Sequence, residues 1–188
     1  SFTQGRPYLI NSTLPGIINT SAPVNLAVTM SDLSGKNITA DVRYVIRGGD
    51  NREVASGVVS TANPTADLSG VPSGRYTFIF TPVDKTLASR FVTTSHVLYK
   101  PSDKRCPLTD VALWVPEKNV KLTGTRRASV LLGVTGAESH VRYAVYTDSV
   151  LLKQGWIKYP AGMHRFEYDM PEGVDDVTLT LSCTSDYR

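Results

Sequence analysis

Apolar residues recur at every second position through most of this chain, and a helical period is nearly absent. Side chains two apart share one face of a strand, so the pattern describes sheets with one buried and one wet face. Val24, Leu26, Val28 and Met30 alternate with polar or small residues. Ser31-Asp-Leu-Ser-Gly35-Lys36 then supplies turn-forming residues before Val42-Arg43-Tyr44-Val45-Ile46. Gly48-Gly49-Asp50-Asn51 reads as a hairpin loop with a return strand from Val54 to Val59. Val71-Pro-Ser-Gly74 leads into the aromatic strand Arg75-Tyr76-Thr77-Phe78-Ile79-Phe80, and Phe91 to Tyr99 supplies another strand.

The same order of features restarts after the polar stretch Pro101-Ser-Asp-Lys-Arg-Cys-Pro107. Leu113-Trp114-Val115 opens it, and Ala128 to Val134 is the next strand. Val141-Arg142-Tyr143 repeats Val42-Arg43-Tyr44 at an offset of 99 (141 − 42). Each copy runs into a return strand with a glycine before large apolar residues, Gly57-Val58-Val59 and Gly155-Trp156-Ile157. Pro72-Ser-Gly74 and its aromatic strand are matched to Pro160-Ala-Gly162 and the strand holding Phe166 and Tyr168. One shared triplet carries little weight, whereas an ordered series points to duplication. Short strands at regular spacing with turns between them predict an all-β chain of two tandem immunoglobulin-like antiparallel β-sandwiches, over residues 1–104 and 105–188. Trp114, just after the connector, is expected at a contact between them.

The 188 residues are 41% hydrophobic and 20% charged, values that suit a folded chain rather than a disordered one. Ten basic and seven acidic residues precede Arg105, and ten of each follow from it, so the net charge of +3 is dispersed. The adjacent basic pairs are Lys104-Arg105 and Arg126-Arg127, with no clustered basic stripe, which argues against a nucleic-acid partner. No apolar run approaches the roughly 18 residues of a membrane span, and no leader is visible at Ser1. Two cysteines are too few for a disulfide scaffold or a zinc site. Alternation puts Cys183 on an apolar strand face and Cys106 on the connector, so both are expected as free thiols.

No catalytic, cofactor-binding or metal-ligating set assembles from the sequence, and the chain is expected not to be an enzyme. His96, His140 and His164 lie far apart, outside any motif, and are expected as surface or strand-edge residues. Asp175-Asp176 is the one adjacent carboxylate pair, and neighbouring strand residues point to opposite faces, so the two cannot flank one glycosidic bond. A calcium role lacks the accompanying ligand loop. Trp156 and Lys158 share one strand face, with Ile157 and Tyr159 on the other. An exposed Trp156 beside Tyr143 makes a stacking platform for a sugar. The alternative is preferred: one face fills the core and the other meets a neighbouring domain. Asn11-Ser-Thr13 and Asn37-Ile-Thr39 match the glycosylation acceptor pattern, which matters only in a eukaryotic secretory context.

Val24 through Ile46, with the turn Leu33-Ser-Gly35-Lys36-Asn-Ile38 and the strand Ala40-Asp-Val42-Arg-Tyr44, resembles the second macroglobulin-like domain of the alpha-2-macroglobulin family. Val71-Pro-Ser-Gly74-Arg-Tyr76 resembles that domain's entry to a later strand. Leu113-Trp-Val-Pro-Glu-Lys118 resembles the opening of the following domain in the large exported macroglobulin-like proteins of Bacteroidetes. The resemblance implies a non-catalytic scaffold segment of a larger exported or envelope-anchored protein that traps or inhibits proteases. Its partners are then neighbouring domains of the same polypeptide and, through the whole protein, proteases. The family's bait segment and Cys-Gly-Glu-Gln thioester are not matched: Cys106 is flanked by Arg105 and Pro107, and Cys183 by Ser182 and Thr184. The alternative is a cell-surface adhesion module recognising glycan or another surface protein.

Overall fold

A computed structural model of the chain describes residues 8–87, 90–117 and 126–185. Among these the protein is all-β, with four sheets and no helix. The chain divides into two compact units, Ser1–Pro101 and Ser102–Arg188.

The first unit contains β1 (Leu9–Ser12), β2 (Ile17–Asn19), β3 (Val24–Asn25), β4 (Val28–Ser31), β5 (Asn37–Ile38), β6 (Asp41–Arg47), β7 (Glu53–Ser60), β8 (Thr65–Ala66), β9 (Gly74–Pro82) and β10 (Val92–Tyr99). A three-stranded sheet runs β1-β4-β5, a five-stranded sheet runs β2-β10-β9-β6-β7, and β3 pairs β8. Ile10, Val28 and Met30 of the smaller sheet pack with Val42, Ile46, Phe78, Phe80 and Leu98 of the larger one in a single core. The single strand read from Val24 to Met30 is corrected: it is broken at Ala27 (φ 49°), with Val24 on β3, Leu26 between strands and Val28 and Met30 on β4, although all four apolar residues reach this core.

Among the described residues pairing is antiparallel with one exception: β2 runs parallel to β10. The expectation of wholly antiparallel pairing is corrected here. Pro15, which has no N–H to offer a ladder, interrupts the chain between β1 and β2. Beyond it the chain leaves the β1-β4-β5 sheet and joins the other layer beside β10.

The second unit contains β11 (Leu113–Trp114), β12 (Arg127–Thr147), β13 (Val150–Asp169) and β14 (Thr178–Ser185). The segment Ala128–Val134 does not end before Val141; it continues as one long strand whose register shifts between Val134 and Glu138. Asp148 and Ser149, at φ 46° and 66°, form the two-residue loop between Thr147 and Val150, as a type I′ hairpin requires. The first half of β12 pairs with β11 and with the second half of β13. Its second half pairs with the first half of β13 and with β14. The two halves of the hairpin face each other: the rings of Tyr143 and Phe166, far apart along the ladder, lie 4.9 Å centre to centre. Val130, Leu132, Val134, Val141, Val145 and Phe166 form the core between them.

The two Val-Arg-Tyr triplets take the same register. Val42, Arg43 and Tyr44 lie opposite Val59, Val58 and Gly57, while Val141, Arg142 and Tyr143 lie opposite Ile157, Trp156 and Gly155. In each unit the tyrosine ring lies over the glycine across the strand. A Cβ on Gly57 would meet the Tyr44 hydroxyl oxygen at 2.6 Å, and one on Gly155 would meet that of Tyr143 at 2.7 Å. Glycine is required because the ring occupies the space of a side chain, and in return the ring covers the bare backbone.

The matching of Phe166 and Tyr168 to the aromatic strand of the first unit is overturned. That strand, β9, pairs with β6, whereas Phe166 and Tyr168 pair with Val130 and Ala128, away from the triplet. The strand in the place of β9 is β14, which puts Leu181 beside Tyr143 as β9 puts Phe80 beside Tyr44. Pro171-Glu172-Gly173 precedes it, 99 residues after Pro72-Ser73-Gly74.

Candidate functional site

The outer face of β12 and β13 carries an exposed indole among charged side chains. Trp156 is 59% exposed although it stands mid-strand. The register sets Arg142, not Tyr143, opposite it, and Tyr143 belongs to the other face, against the core. The stacking platform of Trp156 with Tyr143, the less favoured of the two readings above, does not form: a one-residue step along a strand reverses the face. Ile157 and Tyr159 pack inward, as alternation required.

Around the indole the outer face is polar. Arg142 reaches the Gln154 side-chain oxygen at 3.5 Å. Lys158 Nζ sits 2.8 Å from Glu138 Oε1, and His140 Nε2 lies 3.6 Å from the same oxygen. The hydrogen bond from Lys158 is the main reason the Glu138 carboxyl titrates below its ordinary range. These groups are solvated, so the pairs contribute little stability. They give this face both signs of charge around the indole.

The first unit has an open cleft of about 340 Å³, lined by Gly48, Gly49, Tyr76, Thr77, Ser95 and His96 among others. His96 was expected at the surface; it is buried, 5% exposed. Its Nδ1 lies 2.6 Å from the Pro15 carbonyl oxygen and its Nε2 2.6 Å from Thr94 Oγ1. A carbonyl only accepts, so Nδ1 carries the proton and Nε2 of the neutral ring accepts from the threonine hydroxyl. Burial pushes its pKa down, partly offset by the bond to Pro15. Phe78 meets the ring edge-on at 4.9 Å. The imidazole ties β10 to the turn where the chain changes sheets, and both nitrogens are occupied. The Tyr76 hydroxyl likewise donates to the Pro72 carbonyl at 2.6 Å, and burial raises its pKa.

The remaining residues singled out above do not converge. His164 lies on β13, stacked on Tyr159 at 4.6 Å with Nε2 2.7 Å from the Pro160 oxygen. Asp175 pairs with Arg126 at 3.4 Å on the surface. No group of three or more His, Cys, Asp or Glu able to hold a metal occurs among the described residues. Asn11 and Asn37 are exposed. Trp114 is buried on β11 opposite Gly133, and Lys118 falls outside the described residues.

Both cysteines are free and half-buried. Cys106 is not on a bare connector: its sulfur and that of Met163 crowd Gly133, where a Cβ would meet them at 2.8 and 2.7 Å. The Met163 N–H donates to the Lys104 carbonyl at 3.0 Å, so this stretch is strapped to β13. Burial raises the Cys106 thiol, which disfavours the nucleophilic thiolate.

No described helix is long and apolar enough to cross a membrane. No protein-family model and no curated protein matches the chain. Among solved structures it is similar to a DUF4785 family protein from Legionella pneumophila, at 12% identity and a TM-score of 0.35, over 93% of this chain and 50% of that one. It is also similar to the fibronectin(III)-like modules of Clostridium thermocellum CbhA, at 15% identity and a TM-score of 0.29, over 95% of this chain and 87% of that one. The chain thus spans half the length of the Legionella protein. Likeness of this degree carries nothing about activity or about the macroglobulin resemblance.

Proposed function

We propose that this chain is a non-catalytic scaffold segment of a large exported alpha-2-macroglobulin-like protein, made of two immunoglobulin-like sandwiches in tandem. The observation that carries the reading is the shared hairpin, in which the same triplet meets the same glycine in the same register in both units. A repeated module of this kind holds other parts in place through its rigid strands. The groups that come nearest to chemistry are already committed: His96 to Pro15 and Thr94, and Tyr76 to Pro72. Protease trapping, in this reading, belongs to other domains of the parent polypeptide, and export follows from the family resemblance.

A second reading, a surface module recognising glycan or protein, is favoured by the exposure of Trp156 beside Arg142. One experiment separates the two. The chain is incubated with several proteases, residual activity is read on small and large substrates, and the same preparation is applied to a glycan array. The scaffold reading expects unchanged activity on both substrates and no glycan retained. Loss of activity toward large substrates alone would put trapping in these two units and overturn it. Glycan retention abolished by Trp156→Ala would instead establish the recognition module.

A further inference from the structure

We infer that the recognition surface of the second reading, the outer face around Trp156, is built for an acidic saccharide. A pyranose ring of the ligand stacks on the indole, and its carboxylate meets the Arg142 guanidinium. The inference rests on that second reading and names the ligand class it leaves open.

Register brings the parts together. Trp156 on β13 lies opposite Arg142 on β12, and Arg142 lies opposite Ser182 on β14. All three point away from the core, since Val141, Tyr143 and Val145 take the inward face of β12. Gln154 and Lys158 flank the indole, two residues to either side on the same strand face. The place is open in both units. Its counterpart in the first, Val58 opposite Arg43, is 54% exposed, so neither core needs a large side chain there. The second unit nevertheless presents an indole.

The charge beside the indole is unmatched. Among the described residues Arg142 makes no ion pair, and its side-chain hydrogen bond goes to the neutral Gln154 amide at 3.5 Å. Glu138, the carboxylate of this face, is already held by Lys158 at 2.8 Å and His140 at 3.6 Å. A planar guanidinium takes a carboxylate through two parallel hydrogen bonds, strengthened where apolar surface excludes water. Directly opposed strand residues have Cβ atoms about 5 Å apart, within the span of one uronate unit. A protein partner would need about 800 Å² of surface with an apolar centre. Here a single ring stands among Gln154, Lys158 and Ser182. That setting suits a pyranose, which offers one C–H face and a rim of hydroxyls.

The full chain is titrated calorimetrically with galacturonate, mannuronate and glucuronate oligosaccharides, with their neutral methyl esters, and with poly-L-glutamate. At least one acidic oligosaccharide is expected to bind about tenfold tighter than its ester or better, since only the free carboxylate pairs with a guanidinium. Trp156→Ala and Arg142→Gln should each weaken that binding by about tenfold or more. Val58→Ala and Arg43→Gln, at the equivalent places of the first unit, should leave it unchanged. Trp156-dependent binding in which the esters match the acids would overturn the inference and leave the recognition reading standing. Poly-L-glutamate bound as tightly through Arg142 would make the ligand an acidic polypeptide and overturn it as well. So would saccharide binding indifferent to Trp156. Binding of no saccharide, acidic or neutral, would remove the inference together with the recognition reading.

Discussion

His96 is held neutral by its surroundings rather than left free to titrate. Protonation would put a charge in the core beside Phe78 and replace the acceptor that Thr94 needs by a second donor. Its folded pKa lies below the ordinary value of about 6.5, so the unfolded chain binds the proton more readily. Stability from this group is therefore complete above about pH 6.5 and falls as the pH drops below it. Urea midpoints followed by circular dichroism from pH 8 to pH 5 should decline below that point. His96→Gln should start lower and flatten the decline, and an unchanged profile would refute the assignment. Asp32, Asp67 and Asp84, held low chiefly by hydrogen bonds from Ser34, Ser69 and Thr86, lose their contribution only at more acidic pH. The burial of His96 was not legible in the sequence. Its neighbours Thr94 and Ser95 are polar, and the Pro15 oxygen that receives its proton is 81 residues away.

At the scale of the element, the recurrence of the triplet and of a glycine in its return strand is the part of the fold most readable beforehand, and the contact of ring on glycine came with the register. Triplet and glycine recur with matching register in both units. Gly155→Ala would place a methyl 2.7 Å from the Tyr143 hydroxyl oxygen and 2.9 Å from the ring, forcing the ring off the strand. The expected cost is about 1–3 kcal/mol by urea denaturation, as for overpacking elsewhere. Tyr143→Leu should relieve much of that cost in the double variant, and strict additivity would show that the ring is not responsible. Other elements were misread for a definable reason. Local pattern gives the strand and its buried face but not its partner. Pro160-Ala-Gly162 and Pro171-Glu-Gly173 both look like entries to a strand, and only pairing decides which follows the triplet. The continuous β12 was invisible for the same reason, since its register shift near Glu138 resembles a loop in sequence.

For the molecule as a whole, the two units differ in how much they bury. Phe78, Phe80, Met30, Leu26 and Ile46 are fully enclosed in the first core, while much of the second is made of half-buried side chains such as Tyr143, Ile157, Leu179 and Leu181. Native-state hydrogen exchange should therefore find the slowest amides in β6 and β9, with those of β12 and β14 opening at lower free energy. Slower exchange in β12 and β14 would contradict that ranking. The sequence by itself determined the all-β class, the two-part repetition and the buried face of segments such as Val42–Tyr44 and Trp156–Tyr159, because alternation and turn chemistry act over a few residues. Tertiary structure alone decided the parallel docking of β2, the burial of His96, the continuous β12 and the pairing of β14 beside the triplet. Each of these depends on which distant backbone groups find one another, and the free energy of that pairing is written in contacts between segments rather than in any local run of residues.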